Sequence, residues 1–170
     1  MEKQLSATIL LAGTLLLTGV SAENVDNKNI TLSHCAIQET IPGAKATGAF
    51  LTVTKADDAP LSLVAAKAPK VTDHVELHEM IMQDNKMTMS QIKEYPLQKG
   101  ENIFKKGGYH IMLMDMQKKL TAGEQYEVTL VFSDGSEKTC VAEVKTVKAL
   151  TPKHMQPMQH TQGMEHKKEQ

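Results

Sequence analysis

The feature that most constrains the fold is a succession of short apolar segments, each closed by turn-forming residues. Gly, Pro, Asn and Asp recur between the segments, and no long stretch has helical periodicity. Candidate strands cover residues 30–39, 47–55, 61–66, 75–82, 86–92, 102–104, 109–116, 126–132 and 138–147. Many short strands at this spacing are typical of a sandwich or barrel. The pattern predicts an all-β fold, which we interpret as a Greek-key β-sandwich.

The N-terminus has the organisation of a cleaved signal peptide, predicted over residues 1–22. Glu2 and Lys3 precede an apolar run at 7–17, and small residues follow up to Ala22. The run is shorter than the roughly 20 apolar residues that cross a bilayer, so we expect no stable membrane insertion. The mature chain should begin near Glu23 and lie in the periplasm.

The rest of the chain divides into a domain at 23–149 and a tail at 150–170. The domain has a common single-domain size, and we expect it to be monomeric. The tail carries His, Met, Pro and Lys with almost nothing to bury, which predicts disorder. The net charge is −1 and all 19 basic residues are Lys, so we expect no nucleic acid partner.

The two cysteines, Cys35 and Cys140, lie far apart in the sequence. Outside the cytoplasm an even number of cysteines favours a disulfide over free thiols. We therefore expect a bridge between the first and last strands. The chain has no CxxC motif, so a thioredoxin-like redox role is not supported.

Methionine is concentrated in two regions. Of the ten methionines after Met1, seven lie between Met80 and Met116, and three lie in the tail. Thioether sulfur selects Cu(I), and imidazole is compatible with it. Unlike thiolates, thioethers form no disulfides in an oxidising space. The distribution therefore indicates a Cu(I)-binding protein.

Strand periodicity brings several of these side chains together. In the strand predicted at 109–116, alternation puts one His and three Met on the same face: His110, Met112, Met114 and Met116. Side chains two residues apart lie roughly 6.6 Å apart along a strand, so one ion can contact His110 and Met112. A turn at Asp84 and Asn85 should fold Met87 and Met89 back beside the strand that carries His78.

Methionine also fills irregular cores, so a role in the core is the alternative to copper binding for each of these residues. For Met80, Met82, Met87 and Met114 we favour a core role. The tail residues have no surrounding core sequence. We expect them to form a second, flexible copper site that also accepts Cu(II). This tail set consists of His154, Met155, Met158, His160, Met164 and His166.

Three segments resemble the PCu(A)C family of periplasmic copper chaperones. They read LHEM at 77–80, MTM at 87–89 and GGYHIMLM at 107–114, and the resemblance extends over about 30–147. The family pattern is a His, ten residues, a Met, 21 residues and then His-x-Met. Here ten residues separate His78 from Met89, and 20 separate Met89 from His110. We assign the shortening to the loop around Lys99 and Gly100.

The resemblance implies a cupredoxin-like sandwich with a Cu(I) site built from His78, Met89, His110 and Met112. The spacing leaves open whether Met87 or Met89 is the ligand. The resemblance also implies delivery of copper to an acceptor protein of the cytochrome c oxidase assembly pathway.

Other metal proteins fit the sequence less well. A blue-copper carrier needs a Cys ligand closely followed by His and Met, but no His follows Cys140 until His154. A zinc protease of the H-E-x-x-H type would need His where Met82 stands. We expect no enzyme. A chaperone, a copper sequestration or resistance protein, and an adhesion module with a methionine core remain as alternatives.

Overall fold

The computed structural model describes residues 27–151. This part of the chain contains ten β-strands and one short helix. The first five strands are β1 (Ile30–Gln38), β2 (Thr47–Lys55), β3 (Ser62–Lys67), β4 (Val75–Gln83) and β5 (Lys86–Ile92). The next five are β6 (Tyr95–Pro96), β7 (Gly100–Phe104), β8 (His110–Leu113), β9 (Gln125–Phe132) and β10 (Glu137–Lys145). The helix α1 (Val147–Leu150) follows the last strand.

The strands form one continuous hydrogen-bonded path in the order β5-β4-β8-β2-β1-β10-β9-β3-β6. The first half of β2 pairs with β8, and its second half pairs with β7. Within the described residues every pairing of named strands is antiparallel except that of β1 with β10. The crossed strand order confirms the predicted all-β, cupredoxin-like Greek-key fold.

A single core of aliphatic side chains lies inside this path. It draws fully buried residues from several strands, among them Ile37, Val53, Leu63, Ile111 and Leu130. Strand β2 is the most enclosed, with every position but one buried. Because β2 pairs with both β1 and β8, it holds the strand of His110 and Met112 against the centre of the domain.

The predicted disulfide is confirmed. Cys35 in β1 and Cys140 in β10 are bonded, with their Cα atoms 6.5 Å apart. The two strands are also the parallel pair of the sheet, from Ala36 beside Glu143 to Gln38 beside Lys145. The bridge therefore ties together two strands that are 105 residues apart at the cysteines.

The strand predicted at 109–116 is shorter than expected. It ends at Leu113, and Asp115 adopts a left-handed backbone with φ of 47°. That conformation breaks the alternation of side chains, so Met116 joins the buried core instead of the face of His110. The prediction that Met116 shares this face is wrong.

The last strand also ends earlier than predicted, at Lys145. The side chain of Thr146 accepts a hydrogen bond from the backbone of Ala149 at 3.2 Å and caps α1, so a helix begins at Val147 where the strand was expected to continue. No helix within residues 27–151 has the length and apolarity to cross a membrane. The predicted signal peptide and nearly all of the predicted tail lie outside the described residues.

Candidate metal centre

The hairpin of β4 and β5 carries four of the methionines. Asp84 and Asn85 form its two-residue turn with φ of 49° and 61°, as a tight hairpin turn requires. The register then places Met89 opposite Met80 and Met87 opposite Met82. The prediction that this turn folds Met87 and Met89 back along the His78 strand is confirmed.

The pairing of β4 with β8 brings the two histidines together. His78 lies directly opposite His110, and their ring centroids are 5.9 Å apart. One step away on the same face, Glu76 lies opposite Met112. The core takes the other face of these strands, where Leu77 and Ile111 pair.

His110 is oriented by two contacts. Its Nδ1 lies 2.8 Å from the carbonyl oxygen of Gly108, and its Nε2 lies 3.2 Å from the sulfur of Met89. A carbonyl only accepts, so Nδ1 carries the proton and donates it to Gly108. Burial lowers the pKa of His110, which favours the neutral ring. The Nε2 lone pair and the Met89 sulfur therefore converge as two neutral ligand atoms.

His78 is oriented by a carboxylate. Its Nε2 donates to the Oε2 of Glu76 at 2.7 Å. Its Nδ1 is buried and has no hydrogen-bond partner within residues 27–151. A buried polar atom without a partner is costly, and a metal ion would use its lone pair. This pattern, in which a carboxylate holds one ring nitrogen and leaves the other free, is the usual environment of a metal-binding histidine.

Glu76 also belongs to a longer chain of hydrogen bonds. Its Oε1 lies 2.9 Å from Nε2 of His74, and Nδ1 of His74 lies 2.6 Å from Asp115. Hydrogen bonds with His78 and then His74 lower the pKa of Glu76. Hydrogen bonds with Asp115 and then Glu76 raise the pKa of His74. These hydrogen bonds keep Glu76 ionised, and this favours the orientation of His78 in which Nε2 faces Glu76 and Nδ1 faces away from it.

Sequence reasoning missed this chain of hydrogen bonds. The signal for Glu76 was present, since it precedes His78 by two positions on one strand and therefore shares its face. No comparable signal existed for His74 and Asp115. Both lie outside strands, and Asp115 contacts His74 from a left-handed backbone conformation that the sequence does not indicate.

An open cavity of 430 Å³ lies over this face. Three of the four predicted ligands line it, namely Met89, His110 and Met112. The remaining lining residues are Gln38, Gly48, Phe50, Met80, Lys106 and Gly107. A Cβ atom at Gly48 would come within 2.7 Å of the Phe50 ring, so glycine is needed here for close packing. The fourth predicted ligand, His78, does not line the cavity, and its ring lies beside that of His110.

The core role predicted for several methionines is wrong. Met82 is 66% exposed and Met87 is 52% exposed, while Met80 lines the cavity. The pairing of β8 with β4 covers only Val75 to His78, so the outer part of the hairpin pairs with itself alone. Met114 is half-buried beyond the end of β8.

The geometry favours Met89 over Met87 as the ligand. Met89 contacts His110 and lines the cavity, whereas Met87 lies two residue pairs closer to the turn. The loop around Lys99 and Gly100 leads into β7, which pairs with the second half of β2 and away from β4. The six tail residues predicted to bind copper lie outside the described residues.

Comparison with known proteins identifies the family. The profile of the LpqE-like family, described as "Putative lipoprotein LpqE-like", matches residues 30–144. The chain belongs to the LpqE-like family, of PCu(A)C type. The predicted resemblance to PCu(A)C proteins is thereby confirmed. One relative is the "Putative lipoprotein Lxx21020" of Leifsonia xyli, 31% identical over 107 residues. That match covers 59% of this chain and 64% of the relative's length.

Two solved PCuAC structures have the same fold as this LpqE-like chain. The copper-bound PCuAC domain from PmoF2 superposes with a TM-score of 0.58 at 23% identity, covering 69% of this chain and 93% of that domain. The Cu(I) form of DR1885 from Deinococcus radiodurans superposes with a TM-score of 0.55 at 26% identity. It covers 73% of this chain and 83% of DR1885.

Proposed function

We propose that the protein carries Cu(I) outside the cytoplasm and delivers it to a copper-acceptor protein. The observation that carries this proposal is the approach of the Met89 sulfur to His110 Nε2, 3.2 Å apart, with the ring of His78 5.9 Å from that of His110. Within residues 27–151, the buried Nδ1 of His78 has no hydrogen-bond partner. Thioether and neutral imidazole are the ligands that suit Cu(I). The Cu(I)-bound DR1885 structure shares the fold and supports the same cargo.

Each proposed ligand has a distinct supporting contact. His110 would bind through Nε2 because Gly108 holds its Nδ1 proton, and His78 would bind through Nδ1 because Glu76 holds its Nε2 proton. Met89 and Met112 would contribute two sulfurs from opposite sides of the histidine pair. All four ligands are neutral, so the site holds a single positive charge without a thiolate.

The exposure of the site favours delivery over storage. Met89 is 47% exposed and the cavity is open to solvent. An incoming ligand from another protein can therefore replace Met89 while the more deeply buried histidines still hold the ion. A sequestration protein is the alternative, and it would bind Cu(I) without accelerating transfer.

The compartment and the acceptor are also part of the proposal. The lipoprotein description of the family indicates an exported protein, and the Cys35–Cys140 disulfide is typical of an oxidising compartment. We assign the protein to the periplasm and its acceptor to cytochrome c oxidase assembly. A signal peptide at 1–22 and a weaker copper site in the tail complete this assignment.

Transfer kinetics test the function. The Cu(I)-loaded full chain is mixed with a copper-free oxidase copper domain, and the rate is compared with that of an equal amount of Cu(I) buffered by a small chelator. Faster transfer from the protein supports the chaperone role. Tight binding with no acceleration supports sequestration, and absence of Cu(I) binding contradicts both.

A further inference from the structure

The tip of the β4–β5 hairpin presents two methionines to solvent. Met82 is 66% exposed and Met87 is 52% exposed, and they lie directly opposite each other. Neither lines the cavity that Met89, His110 and Met112 line. Large apolar side chains in such positions gain little from burial, so their presence calls for another explanation.

The register of the hairpin brings these two side chains close together. A two-residue turn is closed by a hydrogen-bonded pair, here Gln83 and Lys86. Hydrogen-bonded and non-hydrogen-bonded pairs then alternate, so Met82 and Met87 form a non-hydrogen-bonded pair. In such pairs the Cα atoms are about 4.5 Å apart and the side chains are at their closest. Two thioethers at this separation can bind one soft cation.

Methionine occupies one face of the hairpin only. On that face the two outer cross-strand pairs are Met82 with Met87 and Met80 with Met89. On the other face, the intervening pairs are Ile81 with Thr88 and Glu79 with Ser90. A docking surface for a protein would be served equally well by Leu or Ile. Four thioethers in two consecutive pairs on one face point instead to a ligand that requires sulfur.

The two methionine pairs lead to the histidines. Consecutive pairs on one face lie about 6.8 Å apart along the strands. The inner pair includes Met89, whose sulfur is 3.2 Å from Nε2 of His110. A cation at the tip is therefore one step from the inner pair, and the inner pair is in contact with the proposed site.

We propose that Met82 and Met87 form a second Cu(I) site, which acquires the ion at the hairpin tip and passes it to the inner pair. The proposal rests on the proposed function for the identity of the ion. Transfer is a ligand exchange in which bonds from Cu(I) to Met82 and Met87 break as bonds to Met80 and Met89 form. Copper remains Cu(I), and no proton moves because thioethers are neutral. With two exposed ligands and no imidazole, the tip site binds more weakly than the histidine site.

Methionine-methyl NMR of the full chain tests the site directly. The protein is labelled with ¹³C at the methionine methyl groups, each signal is assigned by single substitution, and Cu(I) is added without oxygen. The first equivalent should shift the signals of Met89 and Met112. Further equivalents, up to saturation, should shift those of Met82 and Met87.

Loading kinetics test the acquisition step. The M82L/M87L variant should take Cu(I) from a weak chelator several-fold more slowly than the unchanged protein. The matched control is I81L/T88S, which alters the opposite face of the same hairpin and should load at the unchanged rate.

The results separate this inference from the proposed function. Shifts at Met89 and Met112 without any at Met82 and Met87 overturn the tip site and leave the function intact. Equal loading rates for M82L/M87L and the unchanged protein also overturn the acquisition step. Absence of shifts at Met89 and Met112 contradicts the proposed function itself.

Discussion

The carboxylate of Glu76 accepts a hydrogen bond from Nε2 of His78 at 2.7 Å, and the other ring nitrogen of His78 is buried without a partner in the described part of the chain. The contact selects one tautomer of the neutral ring. It therefore determines which nitrogen of His78 is available to copper. The proposed site therefore depends on this contact as well as on the ligands themselves.

Replacing Glu76 by Gln should weaken Cu(I) binding about 10- to 100-fold, as is common when a residue that hydrogen-bonds a metal ligand is changed. The amide removes the negative charge that stabilises the Nε2 proton of His78. Competition with a chromophoric Cu(I) chelator measures the change. The control is E101Q, since Glu101 is exposed on β7. Equal affinities of E76Q and E101Q would show that Glu76 does not orient His78.

Substitution of single methionines should distinguish the two candidate ligands on β5. Met89→Leu removes the sulfur next to His110, so it should lower the affinity for the first Cu(I) equivalent far more than Met87→Leu does. The loss should exceed the roughly 10- to 100-fold typical of residues that only support a ligand. The same chelator competition applies. A larger loss for M87L than for M89L would reverse the assignment.

The pKa values of His74 and His110 should lie on opposite sides of the ordinary histidine value of 6.5. Burial lowers the pKa of His110, so its contribution to stability is complete above about pH 6.5 and falls as the pH drops towards its folded pKa. Hydrogen bonds from the His74 ring to Asp115 and then Glu76 raise the pKa of His74. The contribution of His74 to stability is therefore complete below about pH 6.5 and is lost as the pH rises through its folded pKa.

Long-range ¹H–¹⁵N spectra of the copper-free protein measure both titrations and both tautomers. His110 should be protonated at Nδ1 when neutral, and His74 should titrate above 6.5. The D115N variant should lower the pKa of His74, because Asp115 is the first cause of its shift. A neutral His110 protonated at Nε2 would contradict the contact with Gly108.

Removal of the disulfide should lower the free energy of unfolding and leave copper binding unchanged. The bridge closes a loop of 105 residues, for which chain entropy predicts a loss of about 4 to 5 kcal/mol in the free energy of unfolding of C35A/C140A. Urea denaturation measures it. The first Cu(I) equivalent should still bind, because the proposed ligands lie on β4, β5 and β8. Loss of copper binding in a folded variant would implicate the cysteines in the site.

Much of this arrangement could be predicted from local pattern. Alternation along β8 placed His110 and Met112 on one face, and the turn at Asp84 and Asn85 placed Met87 and Met89 beside the strand of His78. These features depend on residues that are close in sequence. They are therefore visible without knowledge of the tertiary structure.

The features that could not be predicted depend on where neighbouring strands end. The left-handed backbone of Asp115 redirects Met116 to the core and brings Asp115 to His74. The short ladder between β4 and β8 leaves Met82 and Met87 outside the core. Sequence alone indicates neither the end of a ladder nor an isolated positive φ.

X-ray absorption of the full chain loaded with one equivalent of Cu(I) tests the central claim most directly. The account predicts two sulfur and two nitrogen ligands, and in the M89L/M112L variant it predicts loss of the sulfur contribution. A first shell of nitrogen and oxygen only, or an unchanged sulfur count in the variant, would contradict a site built from His78, Met89, His110 and Met112.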